Sequence, residues 1–222
     1  MPFENLDIHF KTPIVLDERS ILDKIVRRRR GGFCYELNYA FQWLLTRLGF
    51  EVDLLSAEVA GTDGEFGIPF DHMALAVTAG GERFLADVGF GESFVVPFPL
   101  REGIVHEERE YRYGLRRELE HLILERAPAS EDAFSPQYRF TTTPRRLEEF
   151  RDGCHYHQTS PDSHFTQSVV ATRALPDGRV TLSRHRLVLR RGAERTELPI
   201  LDETSWKNAL RDHFELVLEN RS

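Results

Sequence analysis

Long apolar runs are missing from this chain. None approaches the ~20 residues that a helix needs to cross a bilayer, so a membrane-spanning helix is excluded. Cysteine is scarce: Cys34 and Cys154 alone cannot staple 222 residues into a disulfide scaffold, and two free thiols fit a reducing, cytoplasmic compartment. The opening MPFENLDIHF has neither the basic start nor the apolar stretch of a signal peptide. Lysine is nearly absent, with only Lys11, Lys24 and Lys207, and the resulting arginine bias points to codon usage. An excess of positive charge is lacking too. Against 36 acidic residues stand 29 basic ones, giving −7, which makes nucleic acid a poor partner because its binding rests on phosphate neutralisation. The one dense basic run, Arg27 to Arg30, has two readings: a solvated helix end favoured by the dipole, or an anionic ligand site.

What is present is an ordinary globular balance, 41% hydrophobic and 29% charged, sized for one large domain or two or three lobes. Ser20, with Asp23 three residues on, predicts a capped helix over 20–30 that Gly31 and Gly32 end. Leu37, Phe41, Leu44, Leu45 and Leu48 repeat at helical spacing, predicting a helix over 34–48 stopped by Gly49. The middle of the chain reads as strands. Residues 72–79 and 83–88 form a hairpin through Gly80 and Gly81, and further strands are expected near 93–98, 111–117, 121–126 and 137–141. A short helix follows Pro144, a hairpin joins 164–174 to 179–190, and an amphipathic helix covers 203–218. The class is α+β, with no internal repeat and no low-complexity linker.

The sharpest local feature is Arg30-Gly31-Gly32-Phe33-Cys34-Tyr35-Glu36-Leu37-Asn38. A double glycine breaks one helix and a cysteine opens the next. Unpaired N–H groups and the positive end of the dipole favour thiolate there, although a buried structural cysteine reads the same way. A reactive cysteine needs a base and an orienting acid. His72 and Asp87 sit on two apolar strand segments joined by a tight turn, which can hold them side by side. A carboxylate inside Phe84-Leu85-Ala86-Asp87-Val88 needs a buried partner, and His72 is the economical one.

These residues resemble the arylamine N-acetyltransferase family. The matching stretches are Pro2-Phe3-Glu4-Asn5-Leu6, the cysteine motif, Asp71-His72-Met73-Ala74-Leu75, Asp87-Val88-Gly89-Phe90-Gly91, Tyr138-Arg139-Phe140 and Thr159-Ser160-Pro161-Asp162-Ser163-His164-Phe165. The resemblance implies Cys34 as nucleophile, His72 as base, Asp87 as orienting acid and acetyl-CoA as cosubstrate. It implies a papain- or transglutaminase-like core in three lobes: helical over 1–49, a central antiparallel β-barrel over 50–155, and an α/β lid over 156–222. Phe3, Phe90 and Phe165 are expected to line a pocket for a flat aromatic amine or hydrazine, and Glu4 and Arg30 to pair near the site. The family carries a few dozen mostly helical residues ahead of the Pro-Phe-Glu-Asn segment. Here that segment begins at residue 2, and an uncovered apolar face driving homo-oligomers is the expectation.

Cys154, in Gly153-Cys154-His155-Tyr156-His157, fits no closed zinc pattern and reads as part of an exposed loop, so no metal is expected. Three rival functions share the Cys-His-Asp order: a transglutaminase-like or protease chemistry, an amide-forming acyltransferase, and an inactive family member that serves as a binding module.

Overall fold

The computed structural model describes residues 1–192 and 194–218. In chain order it runs β1 (Phe3–Glu4), α1 (Leu6–His9), α2 (Glu18–Leu22), a π-helical turn (Asp23–Arg27) and α3 (Cys34–Arg47). Eight strands follow: β2 (Glu51–Val59), β3 (His72–Ala79), β4 (Glu82–Ala86), β5 (Phe98–Pro99), β6 (Val105–Glu108), β7 (Tyr111–Glu118), β8 (His121–Pro128) and β9 (Ser135–Phe140). A 3-10 turn (Leu147–Phe150) leads into α4 (Arg151–Thr159) and α5 (His164–Gln167). Then come β10 (Val170–Leu175), β11 (Gly178–Ser183), β12 (Arg186–Arg191), β13 (Glu194–Pro199) and α6 (Glu203–Phe214). No helix among the described residues is long and apolar enough to cross a membrane.

The chain forms two compact units, Cys34–Cys154 and Met1–Phe33 with His155–Ser222. In the Cys34–Cys154 unit, eight antiparallel strands in the order β5-β4-β3-β2-β9-β8-β7-β6 make a nearly closed barrel, so the expected α+β class with a central barrel holds. Every one of the first six residues of β3 is buried because both its faces are covered. Ala74 and Ala76 join the barrel core of Leu55, Leu85, Phe98, Leu124 and Phe140. Their odd-numbered neighbours take the opposite face, and α3 packs on β2 and β3. Each large aliphatic or aromatic side chain buried this way contributes about 1.5–3 kcal/mol. Only the first turn and a half of α3 is buried, from Cys34 to Asn38, while Leu44 and Leu48 face solvent.

The other unit has one antiparallel sheet in the order β1-β10-β11-β12-β13. Leu210 and Phe214 of α6 pack one face of it over Ala171, Val180, Leu182 and Leu187. Asp202 caps α6 by accepting from Ser205 N at 2.7 Å, and the helix stops at Phe214 because Glu215 takes the left-handed conformation, leaving Val217 exposed. The helix expected over 20–30 starts earlier and differs in kind. Asp17, not Ser20, is its cap, and its second half is π-helical. The strand expected near 93–98 is reduced to Phe98–Pro99, since Glu108 instead accepts from the N–H groups of Val95 and Val96. Residues 179–190 split into β11 and β12.

Candidate active site

Cys34 opens α3 and is 3% exposed. The expectation of a thiol favoured as thiolate needs correcting. Burial pushes this thiol well above its ordinary value, and the Met73 N–H opposes that only in part. The charged form therefore requires a cation beside it.

His72 is the first residue of β3, and Asp87 lies just past the last residue of β4. The register pairs Leu75 with Ala86, which puts Asp87 on the side of the sheet shared by His72 and Ala74. His72 Nε2 is 2.7 Å from Asp87 Oδ2, and both side chains are buried. The other oxygen of Asp87 accepts from Asn38 Nδ2 at 2.9 Å and from Gly89 N at 2.8 Å. Burial works to raise this carboxyl, but His72, Asn38 and the Gly89 N–H outweigh it and hold it below its ordinary 3.8.

Asn38 ties the parts together. It stands one helical turn after Cys34, so it shares that face of α3. It donates to Asp87 and to Met73 O, and its carbonyl accepts from Val88 N at 3.0 Å. Gly89 supplies the close approach. A Cβ there would lie 2.7 Å from Cys34 Cα and 2.6 Å from Asn38 Nδ2. The ring of His72 is flanked by Phe90 and Tyr138, each with its centroid 5.2 Å away. The Tyr138 hydroxyl is buried near Asp87 outside hydrogen-bonding geometry, and burial and the carboxylate together push its phenol well up.

Of the three expected pocket rings, Phe90 is the one against His72. Phe3 and Phe165 belong to the other unit, 5.9 Å apart, with Phe33 and His157 also edge-on to Phe165. Glu4 and Arg30 do pair, with Arg30 Nη2 2.7 Å from Glu4 Oε1. The same guanidinium reaches Asp7 at 3.2 Å, and Asp7 meets Lys24 at 2.8 Å, which makes a buried four-charge chain. Burial would raise the Asp7 carboxyl, but Lys24 and Arg30 hold it below 3.8. Cys154 is not on an exposed loop: it is 2% exposed on α4. Among the described residues no group of three or more His, Cys, Asp or Glu side chains is placed to hold a metal ion.

Sequence reading missed Asn38, Gly89, Tyr138, Asp7 and Lys24. For Asn38 a signal existed in its i+4 offset from Cys34. For Asp7 and Lys24 nothing local distinguishes a buried charge from a surface one.

A cysteine at a helix start and a buried His–Asp pair on the adjoining barrel strands are the kinds of group that a cysteine acyltransferase needs. The family profile described as N-acetyltransferase matches residues 1–222, and the chain belongs to that family. Human arylamine N-acetyltransferase 1 is 30% identical over 244 residues, covering 100% of this chain and 84% of the relative. The Mycobacterium marinum arylamine N-acetyltransferase in complex with CoA superposes with a TM-score of 0.87 at 31% identity, covering 97% of this chain and 81% of that one. The Bacillus cereus arylamine N-acetyltransferase NAT3, which has a Cys-His-Glu catalytic triad, gives 0.88 at 26% identity, covering 98% and 86%.

Proposed function

We propose that this enzyme moves an acetyl group from acetyl-CoA to aromatic amines, hydroxylamines or hydrazines through an acetyl-cysteine on Cys34. The observation that carries the reading is the His72–Asp87 contact of 2.7 Å, braced by Asn38 and Gly89 against the start of α3. Asp87 holds the proton on Nε2, so Nδ1 is the basic nitrogen that takes the Cys34 proton. The buried thiol ionises only as the imidazolium forms, and Asp87 stabilises that cation.

The thiolate attacks the thioester carbonyl, a C–S bond forms, and the tetrahedral oxyanion collapses. The bond to the CoA sulfur breaks and His72 returns the proton to it. The acceptor nitrogen then attacks acetyl-Cys34, His72 takes the amine proton, and the amide leaves with the thiolate restored. Two half-reactions at one cysteine give ping-pong kinetics. Phe90, edge-on to the base, offers the aromatic acceptor a ring.

Intact-protein mass spectrometry after mixing with acetyl-CoA alone tests this. One acetyl group on Cys34, discharged by an arylamine and absent from Cys34→Ser, is the expected result. A folded wild-type protein that stays unmodified overturns it.

A further inference from the structure

Just ahead of His72 the chain makes a strained turn. Phe70 has a φ of 61°, a left-handed conformation that a bulky residue adopts only at a cost. The turn is held from several sides. Asp71 N donates to Ile68 O at 3.1 Å, and Asp71 Oδ2 accepts from Val59 N at 3.0 Å. Two successive carbonyls converge on one hydroxyl: Tyr35 Oη lies 2.8 Å from Phe70 O and 3.0 Å from Asp71 O.

Tyr35 is fully buried. Its ring meets Phe150 edge-on at 6.0 Å, and Phe150 meets Phe70 edge-on at 5.1 Å. Gly153 of α4 closes over the hydroxyl. A Cβ there would stand 2.9 Å from Tyr35 Oη and collide with Phe70 O. Tyr35 directly follows Cys34, and Asp71 directly precedes His72. On the far side of His72, Asn38 donates to Met73 O. Tyr35 and Asn38 are three apart on α3, so they share one helix face and hold the carbonyls on both flanks of His72.

We propose that Tyr35 is a positioning residue: its hydroxyl, clamped on the Phe70 and Asp71 carbonyls, registers the strand that carries His72 against the helix that carries Cys34. It does not touch the reacting atoms. A phenylalanine would fill the same space and lose only the tie. Small displacements between nucleophile and base carry large rate penalties, which is why one hydroxyl at this place matters for turnover as well as for stability.

The inference rests on the roles given above to Cys34 and His72. Tyr35→Phe removes the hydroxyl, whereas Phe150→Leu loosens the packing of the ring and keeps it. The readouts are the pH profile of Cys34 alkylation by iodoacetamide, the rate of Cys34 acetylation by acetyl-CoA, and the melting temperature. Tyr35→Phe is expected to move the alkylation profile to higher pH and to slow acetylation on the order of tenfold at unchanged KM for the donor. Phe150→Leu is expected to lower the melting temperature with a wild-type profile. Gly153→Ala presses on the clamp from outside and carries the same expectation as Tyr35→Phe should that variant not fold. A wild-type profile and rate in folded Tyr35→Phe or folded Gly153→Ala overturns the proposal, as does an equal shift in Phe150→Leu. Wild-type protein that alkylates but is never acetylated overturns the acetyl-transfer reading instead, and the alkylation comparison still decides the role of Tyr35.

Discussion

Gly89 and Cys34 touch backbone to backbone: a Cβ at residue 89 would stand 2.7 Å from the Cα of the cysteine and 3.0 Å from its carbonyl oxygen. The segment that follows the acid is thereby pressed onto the helix start that carries the thiol. The contact brings Asp87, just past a strand end, up to Cys34 and Asn38 on the helix.

Gly89→Ala is accordingly expected to separate the two elements. Overpacking at such a contact costs about 1–3 kcal/mol, and a misplacement of about 1 Å at the site costs on the order of 10²-fold in rate. Thermal melts and Cys34 acetylation rates check this. An alanine variant with wild-type activity would mean that the contact does not set the geometry.

Asp87→Asn keeps the shape of the side chain but leaves His72 free to carry its proton on the wrong nitrogen. Turnover should fall by a factor of about 10⁴, as for amide replacement of the acid in other triads. The substitution also changes the acid limb of stability. Because the folded carboxyl is held below 3.8, its contribution is present above that pH and is lost as the pH falls through the depressed folded value. Melting temperatures of wild type and variant should therefore differ most near neutrality and converge in acid. A constant difference across that range would show that the charge of Asp87 is not what stabilises the fold.

Much of this arrangement is legible in the sequence. Helical spacing places α3 within a residue of its end, and Gly80-Gly81 sets the hairpin whose two strands bring His72 to Asp87. Strong periodicity and turn chemistry are local, so sequence carries them well. What escapes is tertiary. The choice of Asp17 over Ser20 as a cap depends on where the chain enters the helix. Cys154 reads as a surface residue because its neighbours are polar, yet its own side of α4 is buried. The direction of the Cys34 shift escapes too, since a helix N-terminus signals thiolate while total burial, invisible in one dimension, outweighs it. The phenol of Tyr35 likewise looks like any aromatic beside a cysteine until the strained turn at Phe70 appears.

The Glu4–Arg30 pair gives a test by double-mutant cycle. Both side chains are almost wholly enclosed, Arg30 at 12% and Glu4 at 0% exposure. Arg30→Met strands the carboxylate of Glu4 and leaves Asp7 with Lys24 alone, a loss of about 3–5 kcal/mol for a broken buried pair. Glu4→Gln retains the acceptor for Leu6 N and should cost less. The double variant should be more stable than the sum of the single losses predicts, because each change removes the group the other leaves unpaired. Strict additivity in denaturant melts would reject the pairing as an energetic unit.

Three neutral groups at the site contribute to the alkaline limb. Burial pushes Cys34, Tyr35 and Tyr138 all well above their ordinary values of 9.0, 10.0 and 10.0. A group whose folded value is raised keeps its full contribution below the unfolded value and loses it as the pH rises toward the folded one. Above pH 9 the unfolded chain can ionise where the fold cannot, and each such group removes up to about 1.4 kcal/mol of stability per pH unit. The melting temperature should therefore be flat between neutrality and pH 9 and fall beyond it. Tyr138→Phe, which deletes one ionisable group while keeping the ring against His72 and Phe90, should flatten that fall. An alkaline limb of unchanged slope in Tyr138→Phe would show that the phenol ionises in the folded protein as readily as in the unfolded one.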